Sequence, residues 1–336
     1  MPTLTFSQIA PCFISGLLSV VFLFSMPSVA QGTSVAVIDP GVSIQNSSNP
    51  DEVKQLLHKM ATVPQTLNYQ GSFTYQHKDN PSLQSFRILH WVENGVEHER
   101  LQHLNGTERE FVREGKSPAC STLGTQLLQG KISQFGANLA RLDQLYKFEI
   151  RGPERVAGRE ATALLALPMD QYRHSSLLSI DNETGLVLKS WLVDDSARPL
   201  ERYQFIDLDL SPDLEALKQP LAKLHKDANA EAECNPELLK QPDQWQLAWV
   251  PPGFVFVGQR QVRQKIDMLM YTDGLTTFSV FVERAQGAIP EGVAQRGATL
   301  AVMDSLRYQN ATYRITVVGE IPVITAQKIA QNIGGI

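Results

Sequence analysis

Alternation of apolar and polar residues is the dominant pattern of the chain after residue 66. In residues 67–76 (LNYQGSFTYQ) large apolar side chains and one glycine alternate with Asn, Gln, Ser and Thr. Such a strand has one buried and one solvent-exposed face, which is typical of an antiparallel sheet. Further strands before residue 211 are predicted at 83–92, 96–104, 108–113, 145–151, 155–166, 172–180, 186–194 and 200–209. Asn94-Gly95 and Asn105-Gly106 indicate tight hairpins between strands.

Helical spacing occurs before this strand pattern and again at the end of the chain. Asn49 followed by Pro50 predicts the start of a helix, because Asn caps helix N-termini and proline suits the first helical position. The apolar stripe of this helix is Val53, Leu56, Leu57 and Met60. Residues 322–333 carry a similar stripe and predict a terminal helix.

A second group of strands begins at Trp245. The predicted strands are 245–250, 253–258, 267–272, 275–284, 298–305 and 312–319. Between the two groups, residues 211–243 are rich in Lys, Glu, Ala, Asp and Pro and predict a linker. The pattern therefore predicts the α+β class, with a large domain at 49–210 and a smaller antiparallel sheet with a terminal helix at 244–336.

The first thirty residues are typical of an export signal. Residues 13–24 are apolar but too short to span a bilayer, which takes about twenty residues. Ser28 and Ala30 then supply the small side chains that signal peptidase requires, so cleavage is expected after Ala30. Residues 31–48 predict a flexible arm. Export leaves Cys120 and Cys234 in an oxidising compartment, where a disulfide between them and two independent thiols remain alternatives.

Composition and motifs exclude several classes of function. The net charge of −5 does not suit a nucleic-acid binder, which needs clustered basic residues. The chain has no Gly-rich phosphate loop and no G-x-S-x-G serine motif, so we expect neither a cofactor nor an enzyme. His98 and His103 have the wrong spacing for a zinc pair on a helix, and no metal site is predicted. We expect His90, His98 and His103 on the polar side of the sheet.

Five apolar and aromatic residues share one predicted face of the first two strands. They are Tyr69, Phe73, Tyr75, Phe86 and Ile88. One interpretation is ordinary core packing under the first helix. The other is that a strongly curved sheet leaves an apolar cavity for an acyl chain. The sequence does not separate the two.

The order of several strings resembles the MucB/RseB family of periplasmic regulators. In the first part of the chain they are LNYQGSFTYQ (67–76), LNGTEREFVREG (104–115), RVAGREA (155–161), YRHSSLLSIDNETGLVLKSWLVDD (172–195) and LERYQFIDLDL (200–210). WVPPGF (249–254), YTDGLTTFSVFVERA (271–285) and RITVVGEIPVITAQKIAQNI (314–333) follow. The resemblance covers nearly all of residues 50–333, and its C-terminal block is the more specific part.

The resemblance implies a fold and a regulatory function. The large domain is expected to be a half-barrel like the lipoprotein carriers LolA and LolB, and the small domain to bind an anti-sigma factor. Family members bind the periplasmic part of a single-span anti-sigma factor, RseA or MucA, and shield it from the site-1 protease. Mislocalised lipopolysaccharide or lipoprotein acyl chains are expected to weaken binding to the anti-sigma factor.

The resemblance also nominates partner-binding residues in the small domain. Tyr271, Asp273, Gly274 and Phe278 lie in matching strings, either as partner contacts or as turn and core residues. A lipid or lipoprotein carrier without a regulatory partner is the alternative function, and homo-oligomerisation stays open.

Overall fold

The computed structural model describes residues 49–107, 110–114, 139–217, 242–262, 265–285, 287, 289 and 291–336. The predicted signal peptide and arm, most of the predicted linker, and both Cys120 and Cys234 lie outside these residues.

A nine-stranded antiparallel sheet, the large sheet, occupies the first part of the described chain. Its strands are β1 (Tyr69–His77), β2 (Asn80–Glu93), β3 (Val96–His103), β4 (Glu110–Glu114), β5 (Tyr146–Val156), β6 (Arg159–Pro168), β7 (Ser175–Asp181), β8 (Val187–Val193) and β9 (Pro199–Asp209). They lie in the order β4-β3-β2-β1-β9-β8-β7-β6-β5. Two meanders therefore meet where β1 pairs with β9.

The Asn94-Gly95 turn sets the register between β2 and β3. Asn94 and Gly95 have φ values of 52° and 75°, the left-handed conformation of a tight hairpin. They place β2 directly against β3, with Glu93 opposite Val96. The predicted hairpin at this position is confirmed.

Helix α1 (Pro50–Thr66) covers the apolar face of the large sheet. The side chain of Asn49 accepts a hydrogen bond from the backbone N–H of Asp51 at 3.1 Å, so it caps the helix as predicted. The helix contacts β2, β3 and β5, as well as the short helix α2 (Leu139–Leu145). Because β3 and β5 lie near opposite edges, the sheet must curve around α1.

A six-stranded antiparallel sheet, the small sheet, follows in the chain after helix α3 (Leu214–Leu217) and strand β10 (Trp245–Leu247). Its strands are β11 (Val255–Val262), β12 (Ile266–Thr272), β13 (Thr277–Arg284), β14 (Gly292–Arg296), β15 (Thr299–Tyr308) and β16 (Ala311–Gly319), in the order β11-β12-β13-β16-β15-β14. Helix α4 (Val323–Ala330) packs on β15 and β16, and β17 (Ile333–Gly335) pairs with β10.

Two short strands of this part were not predicted. Every residue of β14 is exposed, so its sequence GVAQR carries no alternation of apolar and polar residues. Strand β17 has three residues, two of them glycine, and gains its conformation from pairing with β10. The α+β class is nevertheless confirmed, with a large antiparallel sheet under helices and a smaller sheet with a terminal helix. None of the helices in the described residues is long and apolar enough to cross a membrane.

Candidate functional site

The five predicted cavity residues lie together on one face of β1 and β2, and all five are buried. Phe73 lies opposite Phe86 in the register, and their rings stack with centroids 5.2 Å apart. Ile88 lies opposite Gly71, and Tyr69 contacts the edge of the Phe205 ring. The prediction of a shared face was therefore correct. We call this packed face, formed by Tyr69, Phe73, Tyr75, Phe86 and Ile88, the aromatic layer.

The apolar stripe of α1 lies over this aromatic layer. Leu56, Leu57, Met60 and Val63 belong to the same buried cluster as Tyr69, Phe73, Tyr75, Phe86 and Ile88. One side chain from the small sheet, the partly buried Leu275, also packs against this cluster. The structure thus places the five candidates in a core that α1 and the small sheet both touch. Binding of an acyl chain there stays a prediction.

Polar groups enter this apolar face at two places. The Tyr75 hydroxyl donates a hydrogen bond to Glu201 Oε2 at 3.0 Å, and burial followed by the nearby Glu201 carboxylate raises the pKa of Tyr75 well above its usual value. His90 is buried against the Tyr69 ring, with Nδ1 2.7 Å from the Leu67 carbonyl and Nε2 3.2 Å from Glu97. Hydrogen bonds on both ring nitrogens make this burial tolerable.

The prediction that all three histidines lie on the polar side of the sheet is wrong. The register pairs Tyr69 with His90 and Phe86 with His103, so both histidines share the aromatic face. The His103 ring meets Phe86 edge-on at 4.3 Å. His98 points the other way, with its ring stacked on Trp91.

A buried ion pair joins the two sheets. The Arg173 guanidinium, in the loop between β6 and β7, donates from Nε to Asp273 Oδ2 at 2.5 Å, and both side chains are 0% exposed. The Tyr146 hydroxyl donates to the same oxygen at 2.9 Å. Arg173 also bonds to Asp170 and to the carbonyl of Pro252. The remaining face of the guanidinium lies 4.8 Å from the Phe254 ring centroid.

The other carboxylate oxygen of Asp273 holds its own turn. Oδ1 accepts hydrogen bonds from the backbone N–H groups of Leu275 at 2.9 Å and Thr276 at 2.8 Å. Gly274, with a φ of 102°, completes this turn between β12 and β13. Asp273 is therefore fixed by the small sheet while it receives donors from the large sheet.

The electrostatics of this cluster favour a neutral tyrosine and a charged arginine. Burial, together with the Asp273 carboxylate, raises the pKa of Tyr146 well above its ordinary value. Burial opposes the charge on Arg173, but Asp273, Tyr146 and Asp170 together outweigh burial and raise the pKa of Arg173. The cluster connects the two sheets, and its charges are compensated within the protein.

Aromatic and cationic side chains continue the contact around Arg173. The Tyr172 ring meets Trp249 edge-on at 5.2 Å, and the Lys328 ammonium lies 4.0 Å from the Trp249 centroid. The Thr325 hydroxyl donates to the Tyr172 carbonyl at 3.2 Å. We call this region, residues 169–174 against residues 249–254, 273 and 325–328, the Arg173 contact.

The four partner-binding candidates have different surroundings. Tyr271 and Phe278 are buried in the small sheet and stack on each other at 5.0 Å. Gly274 lies in the β12–β13 turn, and Asp273 alone among the four reaches the large sheet in a hydrogen bond that the structure shows.

Sequence reasoning missed Arg173, Tyr146, Trp249 and Lys328. Arg173 stands in the string YRHSSLL that carried the family resemblance, but nothing in that string shows that a buried carboxylate 100 residues later completes the pair. A basic residue between an aromatic and a histidine, at the start of an apolar strand, is the signal that was available.

Two family models match the chain. The MucB/RseB N-terminal domain matches residues 52–224, and the MucB/RseB C-terminal domain matches residues 239–334.

Similar proteins and solved structures cover most of the chain. The sigma factor AlgU regulatory protein MucB of Pseudomonas aeruginosa is 33% identical over 294 residues, which are 82% of this chain and 89% of that protein. The sigma-E factor regulatory protein RseB of Escherichia coli strain K12 is 29% identical over 308 residues, 86% of this chain and 92% of that protein. A structure of the Pseudomonas aeruginosa MucA/MucB complex matches with 31% identity and a TM-score of 0.64, over 84% of this chain and 99% of that chain. A crystal structure of MucB matches with 30% identity and a TM-score of 0.66, over 85% and 98% of the two chains. This chain therefore belongs to the MucB/RseB family.

Proposed function

We propose that this protein is a periplasmic regulator that binds the periplasmic segment of a single-span anti-sigma factor and shields it from regulated proteolysis. The observation that carries the proposal is the match, over both sheets, to a MucB solved in complex with MucA. The relatives that share this length are regulatory proteins of sigma factors, and the assignment is therefore to regulation.

We place the partner on the small sheet and the Arg173 contact. Tyr271 and Phe278 are buried, so they act by supporting the sheet rather than by touching a partner. Asp273 and Gly274 shape the turn that holds Arg173. The affinity of a partner that contacts both sides of this region would depend on whether the two sheets are in contact.

A protease-protection assay tests the regulatory function. The chain from residue 31 onwards is added at rising concentration to the periplasmic segment of the anti-sigma factor and its site-1 protease. We expect the half-time of cleavage to lengthen in proportion to the bound fraction. Equal cleavage at saturating concentration, where direct binding is also absent, would refute the proposal.

Two phenylalanines offer a matched pair of variants for this assay. Phe86 in the large sheet and Phe278 in the small sheet are each 1% exposed, so Phe→Ala removes the same group from two cores. Each change is expected to cost about 3–5 kcal/mol of stability. If the partner lies on the small sheet, Phe278→Ala weakens protection more than Phe86→Ala, once both variants are shown to be folded at the assay temperature. The reverse order would place the partner on the large sheet.

We further propose that lipid acyl chains enter the aromatic layer of the large sheet and weaken partner binding. Two observations support this proposal: the layer lies in one buried cluster with the apolar stripe of α1, and Leu275, two residues from Asp273, packs against that cluster. An acyl chain that displaces α1 or Leu275 would disturb the turn that holds Arg173. Coupling of two ligands through such an element is reciprocal, so partner binding must weaken lipid binding equally.

Competition with a fluorescent fatty acid, with and without the anti-sigma segment, measures that coupling. Lipid binding that the partner leaves unchanged would favour the alternative, a carrier without a regulatory partner. Phe86→Ala is expected to alter lipid affinity, and Phe278→Ala serves as the control of equal size.

The location and domain boundaries are part of the proposal. We propose export to the periplasm with cleavage after Ala30, which mass spectrometry of the mature protein tests. We also propose two domains, 49–210 and 244–336, joined by residues 211–243. Limited proteolysis is expected to cut first within residues 211–243.

A further inference from the structure

A second contact joins the sheets at a distance along the chain from Arg173. The Gly297 N–H, in the turn between β14 and β15, donates to Asp79 Oδ2 at 2.7 Å. Gly297 has a φ of 62°, and a side chain there would lie 2.7 Å from the Cβ of His77. Ala298 is buried with Leu192 and Leu200 of the large sheet. We call residues 77–79 and 201 against 296–298 the Gly297 contact, and both contacts together the joint.

His77 lies inside the Gly297 contact and must be unprotonated on one nitrogen to fit there. Its Nε2 is 3.4 Å from Nε of Arg296. A guanidinium nitrogen only donates, so Nε2 accepts this hydrogen bond and carries no proton. Nδ1 is 4.0 Å from Asp79 and, although buried, has no hydrogen-bond partner among the described residues. Protonation of Nε2 would make it a donor that faces the Arg296 Nε–H, which is also a donor, so the hydrogen bond would be lost.

His174 is next to Arg173 and is also buried without full hydrogen bonding. Its ring bonds to the backbone of Ile321, which leads into α4 of the small sheet. The other nitrogen, Nε2, is buried and has no partner in the described part of the chain. The side chains of Asp194, Asp195 and Lys78 act on this ring from the neighbouring turns of the large sheet.

We propose that the joint is proton-sensitive: protonation of His77 and His174 separates the small sheet from the large sheet. Each histidine is covered by residues of the small sheet, and each has a buried nitrogen to which a proton would bring an unsolvated charge. Separation of the sheets returns both rings to water, which solvates the imidazolium. This inference goes beyond the proposed function, because it concerns the protein without a partner.

The charges around the two rings determine the direction of the effect. The groups facing His77 are Asp79, Glu201 and Arg296, with the neutral Tyr75 beside it, and those facing His174 are Asp194, Asp195 and Lys78. Burial lowers the pKa of His77, and Arg296 adds to this against the pull of Asp79 and Glu201. Burial likewise lowers the pKa of His174 from 6.5 to about 4, despite Asp194 and Asp195. Both groups therefore favour the closed joint at pH 7 and lose that preference as the pH falls below 6.5.

The magnitude follows from the difference between the closed and open states. For His174, with a pKa of 6.5 when open and about 4 when closed, lowering the pH from 7.5 to 5.0 shifts the equilibrium about 30-fold toward the open joint. His77 adds to this shift in the same direction.

Amide hydrogen exchange of the intact mature chain measures opening even when the open state is rare. The Gly297 amide donates across the joint, so its protection, corrected for the intrinsic exchange rate, reports the closed fraction. We expect its protection to fall about 30-fold or more between pH 7.5 and 5.0. The Gly185 amide, which donates to the Asp181 carbonyl at 2.9 Å within the large sheet, is the internal control and should keep its protection.

Variants assign the effect to the two histidines. His77→Gln keeps an acceptor for Arg296, and His174→Asn keeps a donor for Ile321, but neither titrates. The double variant should lose the pH dependence, whereas His58→Gln on the exposed surface of α1 should retain it. If the double variant does not fold, each single variant is expected to remove part of the change.

The wild-type measurement decides by itself if variants fail. Constant Gly297 protection between pH 7.5 and 5.0 overturns the proposal, as does a fall that persists in the double variant. No anti-sigma factor is present in this experiment, so its failure is distinct from failure of the proposed function.

Discussion

Replacement of Arg173 by methionine tests whether the buried ion pair holds the two sheets together. Methionine has a similar length and fills much of the same volume, but it removes the charge. Asp273, 0% exposed, would then keep its turn amides and the Tyr146 hydroxyl but lose its only ion-pair partner shown here. Because an unpaired buried charge is left behind, we expect Arg173→Met to lower the free energy of unfolding by about 3–5 kcal/mol.

Arg198→Met is the matched control for this prediction. Arg198 pairs with Asp194 at 2.8 Å, but its side chain is 76% exposed. Exposed pairs contribute little, so we expect a loss below about 1 kcal/mol. The same substitution in two ion pairs therefore isolates the effect of burial.

Urea unfolding at pH 7.5, followed by circular dichroism, measures both variants. The midpoint for Arg173→Met should fall well below that for Arg198→Met, and adding Asp273→Asn to Arg173→Met should recover part of the loss because no buried charge remains. Equal losses for the two single variants would refute the reasoning, since they would show that the buried pair contributes no more than an exposed one.

Further predictions concern the glycines, the acid stability and the core of the large sheet. Gly185 and Gly158 both have positive φ, but only at Gly185 would a Cβ meet backbone, 2.6 Å from the carbonyl carbon of Lys59 in α1. In thermal melts Gly158→Ala should cost about 1–2 kcal/mol, and Gly185→Ala distinctly more. Burial disfavours the charged Asp181 carboxylate, but hydrogen bonds from Arg159 and Thr184 together outweigh burial and lower its pKa. The charged carboxylate therefore stabilises the fold above pH 3.8, and this stabilisation is lost as the pH falls below that value. Asp181→Asn should therefore cost stability at pH 7 and much less at pH 2. Phe73→Ala should cost about 3–5 kcal/mol in urea unfolding, and a loss under about 1 kcal/mol would show that the ring borders a cavity.

Much of the fold could be predicted because each strand of the large sheet carries its own signal. Strand-forming runs between turn residues identified every strand of that sheet, with clear alternation in β1, and Asn94-Gly95 identified a hairpin. These signals are local, so they survive without knowledge of the partner strand. Strand β14 carries no such signal, because all of its side chains are exposed and its pairing with β15 alone makes it a strand.

The candidate site could be predicted only in part, because burial by another element is not a local property. The parity of β2 places His90 beside Ile88 and Phe86, but a histidine in that register was expected to face water. It is buried because Leu67 and Glu97 supply bonds to both ring nitrogens. Arg173 and Asp273 are a stronger example, since each looks like a solvated charge until the two sheets are in contact.

The same contact limits how variants of Asp273 can be interpreted. Oδ1 holds the β12–β13 turn and Oδ2 holds Arg173 and Tyr146, so a substitution that removes both oxygens, such as Asp273→Ala, disturbs the turn and the joint together. Loss of partner protection in an Asp273 variant is therefore no evidence that Asp273 touches the partner.

Allosteric release requires an element with two arrangements that both ligands bias. For the proposed function, the joint can be that element. Leu275 and Asp273 belong to the same β12–β13 turn: Leu275 packs on the aromatic layer, and Asp273 bonds to Arg173 of the large sheet. A lipid at the layer and a proton at His174 would then act on one equilibrium, and their effects on Gly297 protection should add when both are present.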